Sequence, residues 1–358
     1  MTHSPLLRQN HNFRNFVFNM CLICCSIFCG LLIAEMYFRL LDPQSIIPRY
    51  VETSPYGIRK NIGHVRGNMI VPEYQHAFST NSQGFRGTKE YSITKPPGVY
   101  RIIVLGDSVT LGHGVEDGET FSAILEEQLS LDRPTEVINM GVSGFGTAEE
   151  LIQLRNVGFV YQPDLIILAY FTNDPYNNVV SELFSVTDGH LSQKQQTFVP
   201  AIYVRDRLYL IPGYSFLCQH SHLVNFLRNH ASGFFIKRLA QKNNISSQTS
   251  PLLSAQESEL TGLLLNKVIS EAQQHKLPLV ILNIPVIRND AVISNFPKDR
   301  VNIDPSFVHL VDVNKAVYSA HDLDKLSYEK DSHPKPFAHQ QIGLWLGDFI
   351  RQKIWSSS

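Results

Sequence analysis

The sequence predicts an α/β fold: a doubly wound parallel sheet preceded by one N-terminal transmembrane helix. Three observations carry that reading. Short, continuous apolar runs are bounded by turn residues, helix-like segments alternate with them, and a long uncharged run lies near the N-terminus. Strands buried on both faces read as unbroken apolar stretches, and strand–helix alternation builds parallel sheets whose sites form at the carboxyl ends of strands.

Composition agrees. Charged residues make up 18% of the 358 residues and apolar residues 43%, which supplies a core and excludes a disordered chain. Lys+Arg 31 against Asp+Glu 32 gives a net charge of −1. Without a concentrated cationic surface, a nucleic-acid partner is not expected.

The N-terminal run FVFNMCLICCSIFCGLLIA, Phe16 to Ala34, holds 19 residues and no charge, close to the ~20 that span a bilayer core as a helix. Four of the five cysteines (Cys21, Cys24, Cys25, Cys29) lie inside it. Zinc thiolates need polar, loop-borne geometry, so these read as small apolar residues and not as metal ligands. Cys218 is left without a disulfide partner in the rest of the chain. A cleavable signal has an apolar region of ~7–15 residues and small residues at the cut. Here the run is longer, Leu32 stands where a small residue is wanted, and Phe28 before Cys29 is too large for a lipoprotein. The expectation is an uncleaved anchor: residues 1–42 form tail and anchor, with the membrane contacted through residues 15–36. Arg8 and Arg14 before the run and Arg39 and Arg49 after it nearly balance. A short N-terminal tail with the bulk exported is the simpler topology.

Residues 43–98, rich in Pro, Gly and Asn, read as a connector that packs on the main domain, residues 99–358. Within that domain YRIIVLG (Tyr100–Gly106), EVINMG (Glu136–Gly141), DLIILAYF (Asp164–Phe171) and LPLVILNIP (Leu277–Pro285) predict buried strands. ETFSAILEEQL, TAEELIQLRNVGFVY and SELTGLLLNKVISEAQQH predict helices, the last with Ser258 as N-cap, and a final helix runs from about Ala338 to Ile354. Aromatics, histidines and polar loops at about 175–251 read as a long insertion. There is no internal repeat.

The chemistry-bearing residues stand where the strands end. The first strand runs into Gly106-Asp107-Ser108-Val109-Thr110-Leu111-Gly112-His113-Gly114. A serine just past a buried strand and entering a helix has its backbone N–H free to face a developing oxyanion. No GxxxxGK, GxGxxG or GxSxG pattern is present here. The second strand ends in Asn139-Met140-Gly141-Val142-Ser143-Gly144-Phe145-Gly146-Thr147, the third in Phe171-Thr172-Asn173-Asp174, and Asp331-Ser332-His333-Pro334 precedes the final helix. Singly, each has a plain structural reading: a helix cap, a turn, a solvated histidine.

Jointly, a serine after strand one, a glycine after strand two, an asparagine after strand three and Asp-x-His before the last helix resemble the SGNH (GDSL-type) hydrolase family, over about Tyr100 to Ile350. The resemblance implies a three-layer α/β/α sandwich of the flavodoxin-like kind, a serine nucleophile, no cofactor and no metal. It assigns Ser108 as nucleophile, His333 as general base, and Ser108 N–H, Gly144 N–H and the Asn173 amide as the oxyanion hole. Asp331 is the candidate acid that orients the imidazole. Two departures stand out. Phe171 replaces the glycine of the third block, and Asp331 lies two residues before His333 where the family more often has three, a position held here by Lys330. The implied activity is ester hydrolysis (removal of an acyl or acetyl group) on a glycan, lipid or small molecule. The alternatives are O-acyl transfer in the same site, or a non-catalytic anchored binding or assembly protein.

Cys218-x-His220-x-His222 has no accompanying HExxH and reads as polar lid surface. Asn244-Ile245-Ser246 matches the common glycosylation tripeptide. Asp107 and Asp174 are expected to brace their loops through backbone hydrogen bonds.

Overall fold

The computed structural model describes residues 5–195, 197–199, 202–242 and 252–357. Asn244-Ile245-Ser246 lies outside the described residues. The chain opens with α1 (Pro5–Leu40). From Phe13 to Leu40 this helix is long and apolar enough to cross a membrane, and none of its apolar stretch is covered by the rest of the fold.

Two antiparallel hairpins follow, β1 (Val51–Thr53) with β2 (Arg59–Asn61), and β3 (Arg66–Val71) with β4 (Tyr74–Ser79). The sequence shows only turn residues here: β1 and β2, three residues each, are too short to display an alternation, and the six-residue β3 and β4 mix polar and apolar residues without a clean one. Next come β5 (Tyr100–Gly106), α2 (Ser108–Leu111), α3 (Phe121–Ser130), β6 (Thr135–Asn139), α4 (Thr147–Asn156), β7 (Leu165–Phe171) and α5 (Asp174–Ser181). A hairpin of β8 (Phe184–Thr187) and β9 (His190–Gln193) leads to α6 (Ile202–Tyr209), α7 (Tyr214–His220) and α8 (His222–Lys242). The chain returns through α9 (Ala255–Gln274), β10 (Leu279–Ile284), the small hairpin β11 (Val286–Arg288) and β12 (Ala291–Ile293), and β13 (Val308–Asp312). It closes with α10 (Val313–Ala316), α11 (Leu323–Leu326) and α12 (Pro336–Phe349).

The central sheet is parallel, in the order β13-β10-β7-β5-β6. Successive side chains of each strand enter opposite cores. Ile103 and Leu105 join Leu151 of α4, Val179 of α5 and Leu264 of α9 on one face. Ile102 and Val104 join Leu125 of α3 and Ile342 and Leu346 of α12 on the other. The result is a three-layer α/β/α sandwich. Full burial of such aliphatic side chains stabilises by roughly 1.5–3 kcal/mol each, so the sheet is the rigid platform on which the strand ends sit.

Several elements differ from the sequence reading: the stretch at about 175–251, read as polar loops, holds α6, α7 and α8, and the hairpins β8–β9 and β11–β12 are not among the predicted strands. β13 is not among the predicted strands: it lies at one edge of the sheet, with His309 and Leu310 only half-buried, and its run VHLVD is interrupted by His309. α9 begins earlier than expected. Its N-cap is Ser254, whose hydroxyl accepts the Glu257 N–H at 3.2 Å while Glu257 accepts the Ser254 N–H at 2.8 Å. This reciprocal box satisfies two orphan groups at once, which Ser258, one turn inside the helix, does not.

From β5 the chain crosses to β6 on one side, and β7 lies on the other. The loops after β5 and β7 therefore diverge to opposite faces, opening a crevice at their carboxyl ends. Ser108 and Asn173 stand on its two sides.

Candidate active site

Asp107 caps α2 by accepting the Val109 N–H at 2.8 Å, and Gly112 ends that single turn in the left-handed conformation. The turn holds Ser108 at its first position, 9% exposed. Ser108 Oγ lies 2.9 Å from His333 Nε2, and His333 Nδ1 lies 2.9 Å from Asp331 Oδ2. A carboxylate can only accept, so Nδ1 carries the proton and Nε2 is left to accept from the serine hydroxyl.

The short Asp-x-His spacing works because Ser332 adopts φ +62°. A tight turn closes around it, with Tyr328 N–H donating to the His333 carbonyl at 3.0 Å and Ser332 N–H to the Tyr328 carbonyl at 3.1 Å. The hairpin β3–β4 grips this turn. The Glu73 carboxylate accepts the N–H groups of Glu329, Lys330 and Asp331 at 3.1, 2.9 and 2.7 Å, and the Tyr74 hydroxyl donates to Asp331 Oδ2. Lys330, which stands three residues before His333, donates its backbone N–H to Glu73.

Burial raises the Asp331 carboxyl, but the hydrogen bond and charge of His333 and the Tyr74 hydroxyl outweigh it and bring the pKa down to about 2. Burial lowers His333, and Asp331 more than compensates through its hydrogen bond and charge, so the imidazole ends above its ordinary 6.5. The ion-pair form is thus favoured on both sides.

Gly144, after β6, has φ +75°, and a Cβ there would stand 2.6 Å from Arg59 Nη1. Arg59, from β2, donates to the Gly144 carbonyl and pairs with the buried Glu149 at 2.7 Å. The peptide carbonyl is thereby pulled one way, and the loop is held in place. Asn173 Nδ2 donates to Asp107 Oδ2 at 3.0 Å across the crevice, and Asn173 Oδ1 is buried with no hydrogen-bond partner among the described residues. The Ser108 and Gly144 N–H groups likewise have no acceptor among the described residues. Phe171 is buried in the core beneath the α3 and α12 layer.

A second histidine stands beside the first. The His113 ring centroid is 5.2 Å from that of His333. His113 Nε2 lies 2.8 Å from Ser143 Oγ, which accepts the Tyr50 hydroxyl at 2.8 Å. Burial, then the charge of His333, pushes His113 well below the usual histidine range, so it adds no competing positive charge. His113 was in view in the Gly112-His113-Gly114 stretch, but nothing in the sequence tied it to Tyr50 or Ser143.

Under the loops lies a carboxyl cluster. Asp174 accepts from Thr147 Oγ1 at 3.2 Å, while its Oδ1 and both Glu150 oxygens are buried with no hydrogen-bond partner among the described residues. Burial first, and then neighbouring carboxylates, drive Glu150 and Asp174 well above the ordinary carboxyl range. Both carboxyls are thereby pushed toward the neutral form. Cys218, His220 and His222 lie in α7 and at the start of α8, where His222 Nδ1 accepts the Gln44 N–H at 2.9 Å. Among the described residues no group of His, Cys, Asp and Glu is arranged to hold a metal ion.

No protein-family model and no curated protein matches the chain. Solved structures do. LAE5, an alpha/beta hydrolase enzyme from the metagenome of Lake Arreo, is 15% identical with a TM-score of 0.39, over 73% of this chain and 97% of its own. The psychrotrophic esterase EstA from Pseudoalteromonas sp. is 14% identical with a TM-score of 0.38, over 72% and 99%. A member of the lipolytic protein G-D-S-L family from Veillonella parvula is 12% identical with a TM-score of 0.31, over 71% and 99%.

Proposed function

We propose that this chain is a membrane-anchored serine ester hydrolase that cleaves an acyl or acetyl ester through an acyl-enzyme on Ser108. The observation that carries this reading is the continuous relay of Ser108 Oγ to His333 Nε2 at 2.9 Å and His333 Nδ1 to Asp331 Oδ2 at 2.9 Å. The anchor is α1, whose length and apolar composition suit a bilayer.

Serine is a weak nucleophile until a base takes its proton. In this reading Oγ attacks the ester carbonyl carbon as His333 Nε2 accepts the hydroxyl proton, and the carbonyl electron pair moves onto its oxygen. The Ser108 and Gly144 N–H groups and the Asn173 amide, whose second hydrogen remains after donation to Asp107, stabilise that oxyanion. Each such donor is worth about 10²–10³ in kcat. The imidazolium, stabilised by Asp331, then protonates the departing alcohol as the C–O bond breaks. Water repeats the sequence against the acyl-enzyme and releases the acid, returning the proton to Ser108.

The experiment is labelling of the full chain in detergent with a fluorophosphonate probe, beside turnover of p-nitrophenyl acetate. Wild type should label and turn over; Ser108→Ala should do neither while keeping its circular dichroism spectrum. Wild-type turnover by folded Ser108→Ala overturns the serine mechanism. Product analysis with added alcohols separates hydrolysis from acyl transfer.

A further inference from the structure

We infer that the α6–α7 turn and α7 form an interfacial foot, which rests in the headgroup layer of the bilayer that holds α1 and sets the height of the active site above it. The inference rests on the anchor reading of α1.

The apolar run ends at Ala34, and its 19 residues rise about 28 Å as a helix, roughly the thickness of a hydrocarbon core. Glu35, the first charged residue past the run, marks where α1 meets the headgroup layer. Its carboxylate accepts the Ser221 hydroxyl at 2.7 Å and the N–H groups of His222 and Leu223 at 3.0 and 2.9 Å. Arg39 Nη2 donates to the His220 carbonyl at 2.6 Å, and Phe38 stacks on Phe226 at 4.2 Å. The α7–α8 junction is thus fixed within a side chain's length of the point where α1 leaves the lipid.

What stands next to that junction is apolar. Leu210 is 82% exposed and Phe216 63%, with Ile211 and Leu217 also exposed. These four fall within eight residues, 210–217, whereas Tyr56, Ile93, Leu131 and Val160 are exposed one at a time elsewhere. Scattered single residues need no explanation, but a grouped set marks a contact surface. Tyr209, at its start, and Tyr214, within it, meet ring against ring at 5.2 Å, and tyrosine favours the membrane–water boundary. Residues 202–242 carry six Lys/Arg against one Asp, a net +5, in a chain whose total is −1. A basic segment with an apolar face is the chemistry of an anionic bilayer surface.

The foot is joined to the site wall. Arg49 pairs with Asp206 of α6 at 2.7 Å, and Arg205 donates to the Val51 carbonyl. Between Arg49 and Val51 stands Tyr50, which reaches Ser143 beside Gly144.

The test uses the full chain reconstituted into phosphatidylcholine–phosphatidylserine vesicles whose acyl chains are brominated either near the glycerol or near their ends. Phe216→Trp and Leu210→Trp are compared with Leu131→Trp, after subtraction of the parent signal from Trp345 and Trp355. Shallow bromines should take about a twofold loss from the emission added at 216 and 210, with less loss under deep bromines and none at 131. A chain that survives an alkaline carbonate wash yet shows no bromine quenching at 216 or 210 overturns the foot and leaves the anchor standing. Protection of those positions from aqueous iodide without bromine quenching also overturns it, in favour of a second copy of the chain seated there. Release by the wash overturns the anchor, and the foot with it.

Discussion

Asp331 Oδ2 sits 2.9 Å from His333 Nδ1 with only Ser332 between them, and Ser332 turns the chain back at φ +62°. A non-glycine residue in that region costs roughly 1–2 kcal/mol. The three Glu73 hydrogen bonds and the Tyr74 hydroxyl hold the turn against that cost. The unusual spacing is thus met by a backbone conformation and by a hairpin more than 250 residues away in sequence.

If Asp331 orients the imidazole, Asp331→Asn should lower kcat for an aryl ester by as much as ~10⁴, and His333→Ala should abolish turnover. The pH dependence gives an independent sign. His333 must be neutral to act, and its pKa lies above 6.5 in the wild type, so kcat/KM should fall as pH drops through that raised value. In Asp331→Asn the falling limb should move to lower pH. Near-wild-type kcat in Asp331→Asn would leave a Ser–His dyad.

Ser332→Gly should keep activity and change stability by less than about 1 kcal/mol, because glycine adopts the same conformation without steric cost but gains freedom when unfolded. Ser332→Val should lose stability and kcat together. Thermal unfolding alongside kcat measures both, and an indifferent valine variant would show that the turn does not set the Asp331–His333 distance.

Tyr74→Phe removes a donor from a charged acceptor, an interaction worth about 1.5–3 kcal/mol, so kcat should fall, but less than in Asp331→Asn. The Asp331 pKa is depressed from 3.8 to about 2, so its contribution to stability is present above 3.8 and lost as pH falls toward 2. The stability gap between Tyr74→Phe and wild type should therefore shrink across that window in denaturant titrations. A gap independent of pH would mean that the hydroxyl does not act through Asp331.

Glu150→Gln tests the carboxyl cluster. A carboxyl raised above its unfolded value loses stability as pH rises past about 4.5, because the unfolded chain ionises first. The glutamine variant lacks that penalty, so its Tm relative to wild type should climb as pH rises above about 4.5, where ordinary carboxyls ionise. A difference flat in pH would show that Glu150 is ionised in the fold.

The strands of the inner sheet, and where they end, are legible in their apolar runs. β5, β7 and β10 are buried on both faces, so their apolar runs are continuous and local. Ser108, Gly144 and Asn173 stand at strand ends and His333 before the last helix, but it is the joint pattern's resemblance to the SGNH family that singles them out. What depends on a partner distant in the chain was not legible. Strand β13, VHLVD, is short and broken by His309, so it leaves no continuous apolar run. Glu73 and Tyr74 at the acid turn, Arg59 against Gly144, and Tyr50 at Ser143 are ordinary residues of a turn-rich segment until the fold brings them together. Apolar periodicity is written along a single element, because each element must bury its own face. The choice of partner for a carboxylate or a hydroxyl is made across elements, and only the packed layers decide it.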